Sequence, residues 1–356
     1  MKFWRSKIIP IFLPHQGCPH RCIFCNQERV TGNSTIHKPS DIARLIGQYL
    51  ETMDQARRKR PDTFPERIEA AFYGGNFTGL PEAVQRDFLW PAYQAVQRKE
   101  IDGLRISTRP DYVTESGLQL LAEYGVKVVE LGVQSLDHMV LQKSRRTYSE
   151  EQVERAVNLL HGHQFCIGLH LMIGLPGESF EARRYTSEKI IRLAPHFLRL
   201  HPTLVLKGTE LEAMYRQGDY TPLTLEHTIA ICKELVIQFK RAGMAVARIG
   251  LQSIPSMEES VIAGPFHPSL GELVFSSMAY DRLLDLLTGY KDSVGKVTIL
   301  VPERELSIFI GQQHQNLHRL QQRFGCKDIF IAPDKSLEEG EIRYQISSTQ
   351  EDRSFV

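Results

Sequence analysis

Short apolar runs alternate with longer stretches whose apolar residues recur every three or four positions through the first 250 residues. The short runs, at 8–12, 68–73, 104–108, 128–133, 167–173 and 197–202, have the length and β-branched content of buried strands. The longer ones, near 40–53, 81–97, 114–124, 150–161, 180–193 and 225–243, read as amphipathic helices. Leu225, Ile229, Cys232, Val236 and Phe239 share one helical face, which makes Cys232 a small buried hydrophobe. Strands alternating with helices of this length predict βαβ units around a parallel sheet, an α/β fold. Six such units are too few for a closed eight-stranded barrel, and 246–250 adds a seventh strand.

The pattern changes after residue 250. Residues 251–290, with Pro255, Gly264-Pro265 and Pro268, read as a linker leading into a helix over 271–287. Residues 291–348 predict a strand at 297–301, a short helix at 303–309, a loop at 311–314, a helix at 315–324, and strands at 328–332 and 342–347. The expected organisation is therefore a barrel domain over 1–250, a linker and helix over 251–290, a small α+β domain over 291–348 and a tail over 349–356.

Composition excludes more than it identifies. A net charge of +1 gives no global field that would mark a nucleic-acid partner, and Arg57-Arg58-Lys59-Arg60 reads as a solvated helix end. No stretch approaches the ~20 apolar residues of a membrane span, and the N-terminus has no signal-peptide apolar region. No membrane partner is expected. Cys166, Cys232 and Cys326 are isolated, so no disulfide framework is expected and a reducing cytoplasm is the expected location.

The chemistry concentrates in Gly17-Cys18-Pro19-His20-Arg21-Cys22-Ile23-Phe24-Cys25-Asn26. Thiolates spaced CxxxCxxC on one loop can ligate three irons of a cubane iron–sulfur cluster, which four Cys normally hold. With no fourth Cys nearby, one iron keeps an open position, where a small molecule binds and reacts. Zinc is the alternative. Cys₃His zinc sites usually pair two separated knuckles, however, and no second CxxC or HxxxH occurs; His20 could ligate only in a cramped geometry. The spacing favours the cluster.

CxxxCxxC with an aromatic, Phe24, just before the third Cys resembles the signature of the radical S-adenosylmethionine (radical SAM) superfamily. The resemblance implies an open (β/α)6 partial barrel, TIM-like, with function on the loops after the strands' C-terminal ends. It implies a 4Fe–4S cluster on Cys18, Cys22 and Cys25, with SAM on the open iron. It also implies reductive cleavage of SAM to methionine and a 5′-deoxyadenosyl radical, fed by a low-potential electron donor of flavodoxin or ferredoxin type. The loop Tyr73-Gly74-Gly75-Asn76-Phe77-Thr78-Gly79 then matches the one whose backbone binds the SAM amino group. Ser107 and Arg109 after the third strand, and Gln134 and Arg146 after the fourth, fall where related enzymes contact the SAM ribose and carboxylate. On the fifth strand, Met172 is placed to pack on the adenine. His170 reads in isolation as a satisfied core histidine, and at this strand end as a site residue.

Ile106-Ser107-Thr108-Arg109-Pro110-Asp111, Glu130–Ser135, His170–Glu178 and His201–Thr209 together resemble the radical SAM module of the Elongator catalytic subunit, over roughly 5–250. Two departures stand out. The Elongator protein has a longer first cysteine gap, and it carries an acetyltransferase domain that this sequence ends too soon to contain. Further on, Ile308–Leu317 resembles the helix–GxxG–helix core of a KH domain, whose loop clamps about four nucleotides; His314 stands where the second Gly belongs. The resemblance implies RNA contacts at Gly311, Gln312, Gln313, His314 and Arg319, aided by Lys296, Arg323 and Lys327. The leading expectation is a radical SAM enzyme acting on RNA, with a tRNA nucleoside as one target. Beside it stand an oxygen-independent coproporphyrinogen-type oxidase, although Gln27 occupies the place of its additional Cys, and a non-catalytic RNA-binding protein with a structural cluster.

Overall fold

The computed structural model describes residues 6–19, 21–31, 37–59, 67–251, 255–288, 296–325 and 328–347. Strands β1 (Lys7–Phe12), β2 (Ile68–Tyr73), β3 (Gly103–Thr108), β4 (Val126–Gln134), β5 (Cys166–Ile173) and β6 (Phe197–Pro202) follow the sequence expectation closely. A two-residue β7 (Val205–Leu206) precedes β8 (Ala245–Ile249), the seventh strand of the main sheet. That sheet runs β1-β2-β3-β4-β5-β6-β8 with every neighbouring pair parallel, a partial barrel. Its strands are apolar on both faces, as a parallel sheet covered by helices requires: Ala70, Ala71, Leu104, Ile106, Val128, Val129, Ile167 and Leu169 are all fully buried.

Helices Ile42–Lys59, Glu82–Gln97, Glu115–Glu123, Glu150–Gly162, Phe180–Leu193 and Leu225–Arg241 fill the connections. Local chemistry sets where several of them start. The hydroxyls of Thr114, Ser149, Ser179 and Thr224 each accept a backbone N–H from the first turn, which satisfies donors that the helix itself leaves unpaired. On the last of these helices, Cys232, Val236 and Phe239 are fully buried. Arg57, Arg58 and Lys59 lie in a helix's last turn, where cations suit the macrodipole.

Residues 255–268 correct the expected linker. They contain a helical turn, Pro255–Glu258, and a strand, β9 (Val261–Ala263), which pairs antiparallel with β7. Met257 is fully buried with Leu204 and Leu206. The signal was weak because β7 and β9 have only two and three residues, too few to show a period. The chain divides into one unit comprising 1–228 and 235–268, and a second comprising 229–234 and 269–356.

The second unit is α+β. Helix Leu270–Thr288 leads to β10 (Lys296–Pro302), a turn at Glu303–Glu305, helices Leu306–Ile310 and Gln315–Phe324, β11 (Ile329–Asp334) and β12 (Arg343–Ser347). β10 lies centrally, parallel to β11 and antiparallel to β12. Leu283, Ile299, Leu320 and Ile329 form its fully buried centre. The expected tail, Cys326 and Lys327 lie outside the described residues. No helix among the described residues is long and apolar enough to cross a membrane.

Candidate active site

The cysteine loop follows β1 and is tied down along its length. The His15 backbone N–H donates to Gln27 Oε1, and the Gln27 N–H donates in turn to His15 Nε2 at 3.2 Å. Between the cysteines, Ile23 is buried against Val205, Leu211 and Tyr220, and its carbonyl accepts the Leu211 N–H at 2.9 Å. Asn26 Nδ2 donates to the Lys207 carbonyl at 3.0 Å. His20 lies outside the described residues. Phe24 packs with Met172, Val140 and Leu175.

Cys18, Cys22 and Cys25 are free thiols that line a cavity of about 580 Å³ at the strand ends. Burial pushes the Cys25 thiol up to about 12, and burial likewise raises Cys18. Buried thiols that resist ionisation need a strong positive partner to act as thiolates, and iron supplies one. Among the described residues, no three His, Cys, Asp or Glu side chains converge closely enough for a single ion.

The loop after β2 faces the cysteines. Gly74 has φ +89°, and a Cβ on Gly75 would lie 2.5 Å from the Gln16 carbonyl oxygen, so only glycines let the two loops meet here. Asn76 is fully buried and is not among the residues lining the cavity. Its Nδ2 donates to the Gly17 carbonyl at 2.9 Å, while its Oδ1 accepts from the Thr108 hydroxyl at 2.6 Å and the Arg109 N–H at 3.0 Å. It braces the first three βα loops together.

Ser107, Arg109, Gln134, Arg146, His170 and Met172 all line the cavity. Gln134 sits at φ +64°, a strained conformation that recurs at functional sites, and its Oε1 is buried without a partner. Each guanidinium nitrogen of Arg146 has a partner. Its Nε donates to the Tyr148 hydroxyl at 3.0 Å, its Nη2 to the Gly132 carbonyl and its Nη1 to Cys22 Sγ at 3.2 Å. Arg109 donates to Asp111 at 2.9 and 2.7 Å and to Thr147 at 3.0 Å, leaving Nη1 buried and unpartnered. Both guanidinia lie over the Tyr148 ring, 5.6 and 4.8 Å from its centroid. Of these two expected site residues, it is Arg109 that carries a guanidinium nitrogen without a partner.

Behind the cavity-lining Tyr73, His170 and Arg199 lies a buried network of which only His170 was among the expected site residues. Glu130, fully buried, accepts from Tyr73 Oη at 2.7 Å, Arg105 Nη1 at 2.9 Å, Arg199 Nη2 at 3.1 Å and His170 Nε2 at 2.6 Å. Burial alone would raise its pKa, but Arg199, His170 and Arg105 outweigh burial and hold it well below the usual carboxylate range. Arg105 also binds Glu69 at 2.6 Å. A signal was available: Leu104-Arg105-Ile106, Val129-Glu130-Leu131 and Leu198-Arg199-Leu200 each set a charge inside an apolar strand.

Residues 12–190 match the radical SAM superfamily, and 195–280 match the radical SAM C-terminal domain. The chain belongs to the radical SAM superfamily. It is an enzyme family, and membership implies SAM and a 4Fe–4S cluster. Among its relatives is the tRNA uridine(34) acetyltransferase of Methanocaldococcus infernus, 27% identical over 305 residues, which span 76% of this chain and 56% of that protein. Elongator complex protein 3 of Bos taurus is 26% identical over 304 residues, spanning 74% of this chain and 54% of that protein. The chain therefore spans little more than half the length of these curated relatives. A solved archaeal Elp3 from M. infernus, lacking its N-terminus, superposes with a TM-score of 0.58 at 24% identity, covering 78% of this chain and 63% of that one. That likeness concerns the fold.

The radical SAM groups fit what is present. Three unpaired thiols, an apolar wall of Phe24 and Met172, and unpartnered polar atoms on Gln134 and Arg109 share one cavity. In the second unit, Gly311 has φ +78° and Gln313 and His314 are left-handed at φ +50° and +59°. Asn316 braces this loop by donating to the Ser276 and Phe309 carbonyls at 2.9 and 3.2 Å. The Arg319 guanidinium stacks 3.8 Å from the centroid of the Tyr280 ring, so its flat face is already occupied. Gln312, Gln313 and His314 sit at the turn between the two helices.

Proposed function

We propose that this radical SAM enzyme carries a 4Fe–4S cluster on Cys18, Cys22 and Cys25, binds SAM beside it, and acts on an RNA nucleoside. The observation that carries the reading is the placement of three free thiols opposite Gly74-Gly75 on the wall of one cavity. When both groups are bound, they supply reductive cleavage of SAM, fed by a low-potential flavodoxin- or ferredoxin-type donor.

The protein's own contribution is positioning. Arg146 donates to Cys22 and keeps a positive charge beside the cysteine loop. The backbone at Gly74-Gly75 presents polar groups where a Cβ would block approach. Gln134 Oε1 and Arg109 Nη1 offer an acceptor and a donor to SAM's polar groups. Phe24 and Met172 give the cavity an apolar wall.

RNA enters through the relatives named as acting on tRNA uridine, and through the helix–loop–helix at Leu306–Phe324, which we take as KH-like. No acetyl transfer is proposed. Anaerobically reconstituted protein should bind about four irons per chain and convert SAM to methionine and 5′-deoxyadenosine. Filter binding of total tRNA should weaken with salt as phosphate contacts release counterions, and should weaken further in His314→Glu. Stoichiometric zinc with no iron uptake would overturn the cofactor assignment; no tRNA retention at low salt would remove RNA.

A further inference from the structure

The register across β5, β6 and β8 sets His170 opposite Arg199 and Arg199 opposite Arg248, so the three side chains leave one face of the sheet in a row. All three line the cavity. β8 is the far edge of the sheet from β1 and β2, which carry the cysteine loop and Gly74-Gly75.

The charges in this row do not balance. Glu130 takes Arg199 through Nε at 2.8 Å and shares Arg105 with Glu69. Both buried carboxylates are therefore committed. Arg248 donates Nε to the Gly250 carbonyl at 3.2 Å and has no carboxylate partner among the described residues. Beside it, His201 keeps its Nδ1 buried and unpartnered, with its ring 5.4 Å from that of His170.

An unneutralised guanidinium in a cavity wall is costly. Burial and the neighbouring Arg199 lower the Arg248 pKa from its ordinary value. Burial, with the charges of His170, Arg199 and Arg248, holds His201 neutral, well below its ordinary range. Both shifts disfavour more positive charge here, and an incoming anion would offset them. A guanidinium fork offers two parallel hydrogen bonds to a carboxylate or phosphate, and a neutral imidazole can donate a third from Nδ1.

We propose that Arg248, flanked by His201 and Arg199, is a recognition subsite for an oxyanion, a carboxylate or a phosphate, on the substrate of this enzyme. The proposal rests on the radical SAM reading above and adds the substrate's chemistry to it. It places the anion at the opposite sheet edge from the cysteine loop, so a substrate tethered there presents its remaining atoms toward the cofactors.

The test is calorimetric titration of the full chain with three probes: inorganic phosphate, uridine 5′-monophosphate and succinate. Each is run on wild type, Arg248→Lys and Arg248→Gln, with thermal melts of all three proteins. At least one probe should bind the wild type, and bind tenfold or more weakly to Arg248→Gln; Arg248→Lys should fall between. A preference for the phosphate probes or for succinate identifies the oxyanion. No binding by the wild type, or equal binding by the wild type and a folded variant, overturns the proposal. Failure of the radical SAM reading has a separate signature: the wild type takes up no iron or cleaves no SAM, whatever the titrations give.

Discussion

Arg146 Nη1 lies 3.2 Å from Cys22 Sγ, while the rest of the same guanidinium is spent on Gly132 and Tyr148. The Arg is therefore a brace for the cysteine loop, built from a βα loop more than a hundred residues away in sequence. Hydrogen bonds to charged groups contribute about 1.5–3 kcal/mol. Arg146→Leu should accordingly shorten the time for which reconstituted protein retains iron against a chelator by ~10-fold or more, and Arg146→Lys should lie between. Unchanged retention in Arg146→Leu would show that the contact does not serve the bound cluster.

Asn76→Ala should destabilise the barrel unit. The change strips partners from the Gly17 carbonyl, the Thr108 hydroxyl and the Arg109 N–H in a dry site. Leaving buried polar groups unsatisfied costs about 1–3 kcal/mol, so a loss of about 2–3 kcal/mol in urea unfolding is expected. SAM binding should weaken as a consequence, because the loops it joins separate.

Glu130→Gln tests the deeper network. Arg105 and Arg199 would lose their shared carboxylate, and removing one partner of a buried pair costs about 3–5 kcal/mol. A drop below about 1 kcal/mol would mean that Glu69 and Tyr73 suffice to hold both guanidinia.

His201 predicts a pH dependence. Its folded pKa lies well below its unfolded value near 6.5, so the unfolded chain binds the proton first as pH falls. The stability its neutral form carries is complete above about pH 6.5 and is lost as pH drops from there toward the folded pKa. Thermal midpoints measured from pH 7.5 to 5 should fall more steeply for wild type than for His201→Gln. Parallel curves would show that another group sets the slope.

The architecture was legible because a parallel sheet writes itself as compact apolar runs; β2 and β6 lie where the sequence places them. The cysteine loop and Gly74-Gly75 were legible because the chemistry demands those residue types. The direction of a side chain was not. Asn76 sits in the glycine-rich loop, yet the turn at Phe77–Gly79 points it into the protein, where it meets Gly17 and Thr108. Sequence spacing says nothing of which guanidinium a tyrosine and a carbonyl will occupy, here that of Arg146. Glu130 gave a signal, a charge between Val129 and Leu131, but its meaning depends on Arg199 and His170 facing it from strands still to come.

The pairing of β9 with β7 has a consequence for dividing this protein into parts. A fragment cut at residue 250 keeps every strand of the main sheet and all three cysteines, yet it removes the partner of Val205 and Leu206. Ile23, directly after Cys22, packs on Val205. The clasp that steadies the cysteine loop is thus completed by a segment more than two hundred residues downstream. A minimal catalytic piece has to run through residue 268, and one ending earlier should shed iron faster even though no ligand is missing.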